Sequence, residues 1–441
     1  MAMEKKRRKI IDIIHYHLNP GGVTKIIQSQ VESLLRQDTP YDIRILCGEC
    51  PDAEYYREKG VEVIVDDIFK YANFDEKRPE IINRLQKETE AASQEYLRKD
   101  SIIHFHNLNL AKNPYWTLAV HKAVRDGFPV INHAHDFSED RPENQQFMER
   151  IINKHFGYDM PQVMYPDLPN YHMGVLNLSD YDRVISKGFK TSRLHYLPNP
   201  VSMENTLPPA DLKTRGKIFQ KLGLDNGKKL ITYPVRVIRR KNIGEYILLS
   251  HFFQSKANFV VTLPPENPVE IEEYNKWKKF CNELAIPIRF EAGTVVDFTE
   301  LITSSDFCVT TSIREGFGMA YIEPWMMSTP VTGRKLDNIM RDLTHEGLKF
   351  PSLYEQLLVP YNDGWKDMAE IDFESQRSII RRIIDDKELS RITFVKNSQL
   401  SKLFEPVENK LIQQNQTIIK QKFSIASYGK RLEKAYQKLI G

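Results

Sequence analysis

Cysteine is scarce, with four in 441 residues. That is too few for a disulfide framework and points to a reducing compartment, hence the cytoplasm. Two of them, Cys47 and Cys50, form a lone CxxC. No second ligand pair follows it, so a zinc or redox role lacks its context, and the pair reads as the lining of a βα turn. No apolar run approaches the roughly 20 residues a membrane span needs. The basic start, Lys5, Lys6, Arg7, Arg8 and Lys9, leads into a short apolar segment broken by Asp12 and His15, which reads against a signal peptide. Charge of one sign is also lacking. The net value of +3 gives a nucleic-acid partner no footing. There is no repeat period and no low-complexity tract.

What is present is an ordinary globular composition, 41% hydrophobic and 27% charged. The length predicts two domains of roughly 200 residues. Lys9 to Ile14 reads as a strand, HYHLNPGG as a turn-rich loop, and the apolar pairs from Val23 to Leu35 as an amphipathic helix. A strand at Tyr41 to Leu46 completes a βαβ unit. Gly21 and Gly22 lie where strand passes to helix, the usual place for a phosphate-approaching turn, although the pattern is not GxGxxG and a plain tight turn fits equally.

Asp75 to Lys99 reads as a solvated helix, followed by strands at Ser101 to His106 and Pro129 to His133. Short strands at Tyr171 to Leu178 and Arg183 to Ser186 close the half, after a long polar and aromatic loop, Phe137 to Pro169, that suits an acceptor-side lid. Prolines 198, 200, 208 and 209 mark a linker. The alternation then restarts and runs to about residue 400, after which the chain is helical. Sustained strand–helix alternation predicts parallel α/β sheets, with ligands beyond the carboxyl ends of strands. His104, His106, His133, His135 and Asp136 fall at such ends. They offer three roles: metal ligands, a satisfied buried loop, or a substrate contact by one of them.

The stretch DFCVTTSIREGFGMAYIEPWMMSTPVTGR, Asp306 to Arg334, carries the chemistry. A buried strand, Phe307 to Thr311, leads into a loop with Gly316 and Gly318, then an apolar segment, Met319 to Met327, of helical length. Backbone N–H groups and a helix dipole make such a junction an anion site. Glu315 and Glu323 flank it. A carboxylate beside a phosphate is repelled unless it accepts hydrogen bonds from hydroxyl groups, so the pattern suggests a nucleotide sugar. Arg236, Arg239, Arg240 and Lys241 follow an earlier strand of the same half. Arg236 and Lys241 are spaced so that they could straddle a diphosphate, the first as a bidentate fork and the second as a point charge, with a solvated basic loop as the plainer reading.

Arg236-(x)4-Lys241 with EGFGMAYIE, the Gly21-Gly22-Val23 loop, NHAHD and STPVTG together resemble retaining GT-B glycosyltransferases of the family 4 type, over nearly the whole chain. The resemblance implies an α/β protein with two Rossmann-like, doubly wound domains facing a cleft. They span residues 1–205 on the acceptor side and 206–400 on the nucleotide-sugar side, and a helical segment, 401–441, crosses back to the first. It implies that Arg236 and Lys241 bind the donor diphosphate and that Glu315 contacts the donor sugar. Backbone at Gly316, Phe317 and Gly318 supports sugar and phosphate, and Glu323 holds the ribose. Gly21 and Gly22 approach the phosphate, and His135 is the active-site histidine, with His133 as the other register. No metal is implied, and no cofactor beyond a UDP- or GDP-sugar donor. The acceptor is a hydroxyl of a small polar molecule, a glycan or a lipid-linked compound. Pro324 and Trp325 stand where the family has small residues, which leaves donor identity open.

A sugar-nucleotide epimerase or phosphorylase would keep this fold with another reaction, and a non-catalytic sugar-nucleotide binder would keep the site without one. No carboxylate is placed as a nucleophile, so double displacement is not supported. The resemblance implies a front-face transfer in which a donor phosphate oxygen helps deprotonate the acceptor hydroxyl. The basic start and Lys420, Lys422, Lys430, Arg431, Lys434 and Lys438 near the end offer a weak peripheral contact with an anionic inner membrane surface, with a solvated helix face as the plainer reading.

Overall fold

A computed structural model describes residues 8–36, 41–72, 78–203 and 205–441. Lys5 to Arg7, part of the basic start, and Asp75 lie outside them. The chain divides into two units. One comprises Met1–Ser202 with Phe423–Gly441, the other Met203–Lys422.

The first unit is built on a parallel sheet of seven strands: β1 (Lys9–His15), β2 (Tyr41–Cys47), β3 (Glu62–Val65), β4 (Ser101–His106), β5 (Val130–Ala134), β6 (Tyr171–Val175) and β7 (Leu194–Tyr196). Their order is β3-β2-β1-β4-β5-β6-β7. Every residue of β4, β5 and β6 is buried. A parallel sheet is covered on both faces, so the polar side chains of these strands, Ser101, His104, His106, Asn132, His133 and His172, are buried along with the apolar ones. The Gly22–Arg36 helix lays Ile27, Val31 and Leu34 on one face. Leu432, Tyr436 and Leu439 of the Ile425–Ile440 helix join the same core cluster. Each such side chain, fully buried, contributes roughly 1.5–3 kcal/mol.

The second unit repeats the plan with β8 (Lys229–Arg236), β9 (Ala257–Leu263), β10 (Ile288–Arg289), β11 (Phe307–Thr310), β12 (Val331–Arg334) and β13 (Leu353–Tyr354), in the parallel order β10-β9-β8-β11-β12-β13. A small antiparallel hairpin, β14 (Leu358–Tyr361) and β15 (Gly364–Asp367), follows. In each sheet the strand order reverses beside the first strand, between β1 and β4 and between β8 and β11. Ligands of doubly wound sheets bind at such a switch point.

Several local expectations differ from the structure. Arg183 to Ser186 is the end of a helix, Leu178–Ser186, opened by Asn177, whose side chain accepts from Asp180 N; the next strand is β7 instead. Phe137 to Pro169 is not an open loop. It contains helices Pro142–Met148 and Met160–Met164 and a widened helical segment, Glu149–His155, around Met148, Ile152 and Met164. The expected Met319–Met327 helix breaks into a 3-10 turn, Met319–Tyr321, and a single turn, Glu323–Met326. Pro324 has no N–H to give a helix begun at Met319, and Ser328 turns left-handed at φ 57°. Of the 401–441 segment, the Asn409–Lys422 helix groups with the second unit. Gln416 donates to the Trp325 carbonyl (2.9 Å) and Asn415 to that of Lys349 (2.9 Å). Only Phe423–Gly441 joins the first. Among the described residues no helix is long and apolar enough to cross a membrane.

Candidate active site

At the carboxyl end of β1 the chain turns through Gly21 into the helix that starts at Gly22, both exposed. A Cβ at Gly22 would meet nothing within 4 Å, so packing does not demand glycine there. The CxxC turn braces this loop from behind. Leu18 N donates to Glu49 O (2.6 Å), Gly48 N to Tyr16 O (2.9 Å) and Asn19 Nδ2 to Glu49 Oε2 (2.8 Å). Cys47 is buried and Cys50 partly so. The pair lines a βα turn, as its place directly after a strand suggested.

Beside β1, the strand-end histidines meet by register. His106 pairs with His133, and His133 with Gly174, where an added Cβ would stand 3.3 Å from the imidazole. His104 and His106 lie two apart on one face of β4 and stack at 4.6 Å. Hydrogen bonds run from His104 Nε2 to His133 Nδ1 (3.3 Å) and from His106 Nδ1 to His135 Nε2 (2.8 Å). Gln30, from the Gly22–Arg36 helix, reaches both His104 Nδ1 (3.1 Å) and His106 Nε2 (2.7 Å). Tyr436 closes the group at 2.8 Å from His104 Nδ1. Asn107, left-handed at φ 65°, accepts on Oδ1 from the backbone N–H groups of His135 and Asp136 and so fixes that strand end.

Burial drives the pKa of His133 down to about 3 and that of His15 to about 4, and pushes those of His104, His106 and His135 well below the ordinary range. Their like neighbours add to it. All five imidazoles are neutral at pH 7. His104, His106 and His133 bring a nitrogen each within 4.8 Å of one another, the set that could hold a metal ion. The hydrogen bonds above already engage the ring nitrogens of His104 and His106, however. The set fits a hydrogen-bonded relay better than a shared cation.

In the second unit, β8 leads into a 3-10 turn, Arg239–Lys241. Tyr233 and Thr311, from β8 and the end of β11, both donate to the Lys241 carbonyl. Asn242 follows at φ 55°. Ile313 N donates to Arg240 O (2.9 Å), which ties this turn to the loop before Glu315. Glu315 is the centre. Its carboxylate, 7% exposed, is held by Lys241 Nζ, by Arg240 Nη1 (2.5 Å) and by Ser312 Oγ (2.6 Å). Burial alone would raise its pKa, but Lys241 and Arg240 outweigh that and hold it below the usual carboxylate range. Burial, with Arg240 nearby, lowers that of Lys241 against the pull of Glu315.

The structure thus brings Glu315 and Lys241 together and adds Arg240, which spacing did not single out. Arg236 is 49% exposed and pairs with Glu266. Arg239 lies over the Phe373 ring and donates to Ile371 O.

Past Glu315, Gly316 is exposed and a Cβ there would meet nothing within 4 Å. Gly318 differs: φ is 83° and a Cβ would lie 2.6 Å from Ile339, so the turn itself requires glycine. Phe317 is buried between them. Glu323 is half-buried at the start of its single turn. So short an element carries little dipole, and attraction for an anion must come from side-chain cations rather than from the helix end. Trp325 is fully buried, 6.0 Å from Phe350, and belongs to the core rather than to a ligand surface.

Solved structures share this fold over nearly the whole chain. The Anabaena protein HepE, crystallised with UDP and glucose, matches with a TM-score of 0.60 at 14% identity, covering 97% of this chain and 99% of that one. Sucrose-phosphate synthase from Thermosynechococcus elongatus matches with a TM-score of 0.58 at 15% identity, covering 98% and 99%. The fold is that of the GT-B glycosyltransferases. No family model matches the chain. In sequence it is similar to mannosylglucosyl-3-phosphoglycerate synthase from Petrotoga mobilis, 29% identical over 381 residues, 82% of this chain and 72% of that protein. The chain thus has a GT-B fold and a sequence similar to that of this synthase.

Proposed function

We propose that the protein transfers a hexosyl group from a nucleotide sugar, a UDP- or GDP-sugar, to a hydroxyl of a small anionic acceptor, with retention at the anomeric carbon. The observation that carries this reading is the convergence of Lys241 and Arg240 on a buried Glu315 at the β8–β11 switch point, beside the open Gly316. In the transfer, the bond from the anomeric carbon to the phosphate oxygen breaks and its electron pair leaves with the diphosphate. The acceptor oxygen bonds the same carbon, and its proton passes to the departing phosphate oxygen.

Negative charge grows on the leaving group, and cations already placed lower the barrier without reorganising. A diphosphate competing for Lys241 and Arg240 frees Glu315 to accept from sugar hydroxyls. Arg236, half-exposed, is a further cation for the diphosphate, and Glu323 is assigned the ribose. Backbone at Gly316, Phe317 and Gly318 lies against sugar and phosphate. In the first unit, Gly21 and Gly22 are assigned to phosphate and His135 to a substrate hydroxyl. The phosphoglycerate in the name of the Petrotoga relative supports an anionic acceptor.

Incubation with UDP- and GDP-hexoses and glycosylated glycerate or phosphoglycerate acceptors, followed by proton NMR of the new anomeric centre, tests the proposal. The expected product has the donor's configuration. An inverted product, or hydrolysis of every donor with no transfer, would overturn it.

A further inference from the structure

Gln30 is fully buried, yet its amide is turned to polar partners on both sides. Its nitrogen donates to Tyr436 OH (2.8 Å) and faces His104 Nδ1, and its oxygen faces His106 Nε2 at 2.7 Å. An amide oxygen only accepts, so His106 carries its proton on Nε2. A neutral imidazole has one N–H, which makes His106 Nδ1 a bare lone pair. The nitrogen opposite it, His135 Nε2 at 2.8 Å, must then be the donor. His135 is left with an unprotonated Nδ1.

We propose that Gln30 and His106 are positioning residues that lock His135 in its Nε2–H tautomer, so that it meets a substrate hydroxyl as a hydrogen-bond acceptor. This rests on His135 touching substrate, as assigned above. The device needs all its members neutral, because a protonated His106 would donate from both nitrogens and reverse His135. The groups facing the relay are His15 on β1, His104 on β4, His133 on β5 and Tyr436 on the last helix, and burial holds all four in their neutral forms at neutral pH. The ion pair Asp136–Arg141 (3.1 Å) lies next to His135 in sequence, and its two charges offset each other. A packing role for Gln30 would also satisfy the buried amide, but it would leave the tautomer of His135 indifferent.

Long-range nitrogen–proton NMR of the full chain, labelled with 15N at histidine, separates the two, because protonated and bare ring nitrogens resonate far apart. The His135 signals are assigned by their loss in His135→Asn. The expected wild-type pattern is a protonated Nε2 and a bare Nδ1. In Gln30→Met and His106→Phe the single tautomer should give way to a mixture, with kcat/KM falling roughly ten- to a hundredfold, the range typical when an orienting partner is lost. Val31→Ala, a cavity on the same helix, should lower stability and leave the His135 signals in place.

A wild-type His135 protonated on Nδ1, or an unchanged His135 pattern in Gln30→Met, would overturn the proposal. If Gln30→Met does not fold, the wild-type spectrum and His106→Phe still decide. Failure of the transfer reading shows separately, as absent turnover in wild type, while the tautomer is still read.

Discussion

The two units solve the same geometric problem with opposite electrostatics. Both place a switch point beside their first strand, and both gather polar side chains, most of them buried, at the carboxyl ends of the strands there. In the first unit those side chains are neutral: five histidines, a glutamine and a tyrosine. In the second they are ions. Lys241 and Arg240 hold Glu315, and deeper in, Arg334 is clasped by Glu245 and Asp367. Topology therefore sets where chemistry can happen, and burial decides its kind. An unpaired buried imidazole sheds its proton cheaply, whereas a buried carboxylate keeps its charge only with cations in contact.

Acid should separate the two most. The depressed histidine pKa values mean that the unfolded chain takes up protons the fold refuses. Their contribution is complete above the ordinary value of 6.5 and is lost as pH falls, down to about 4 for His15 and about 3 for His133. Each costs about 1.4 kcal/mol per pH unit in that window. Glu315, also depressed, loses its contribution only below its ordinary 4.5. Amide hydrogen exchange at pH 7.5 and 5.5 should show the first unit, including Phe423–Gly441, weakened by several kcal/mol while the second holds. Equal loss in both units would erase the distinction.

Arg334→Met attacks the ionic side. The guanidinium binds Glu245 at 3.1 Å through Nε and Asp367 at 2.9 and 2.6 Å, and its removal leaves two buried acids facing each other. The second unit should lose about 3–5 kcal/mol in urea titration. A change under 1 kcal/mol would mean the acids simply protonate.

At the site, Lys241→Ala and Glu315→Gln should lower kcat about 10²- to 10³-fold, with near-native circular dichroism. Arg240→Ala should cost more than Arg236→Ala, since only Arg240 reaches Glu315. The reverse order would return the diphosphate to the residue that spacing favours.

Both sheets, the glycine–acid loop and the histidine strand ends could be read from residue order because they depend on local patterns: apolar runs, turn residues and the rule that loops at strand ends hold ligands. Other features depended on geometry that spacing does not encode. A 3-10 turn swings Arg240 rather than Arg236 onto Glu315. One missing N–H, at Pro324, cuts a helix to a single turn. Trp325 looked like a bulky intruder in a donor pocket but fills the core. Gln30 and Tyr436 stand 406 positions apart. No local signal joins them, because long-range polar partners are chosen by packing, not by sequence neighbourhood.

The Phe423–Gly441 segment makes the whole second unit an insertion in the first. The chain leaves after Ser202 and returns at Phe423, and the two strands of chain are clipped together where Val201 N donates to Phe423 O (2.7 Å) and Val201 pairs with Ser424. During synthesis, the first unit's sheet emerges early, but the core it shares with Leu432, Tyr436 and Leu439 is complete only once the last helix has emerged. The second unit has all its strands before that and can fold first. Once folded, it brings Val201 and Phe423 within reach and so lowers the chain entropy that closing the first unit costs. The unit that begins first is the one that finishes last.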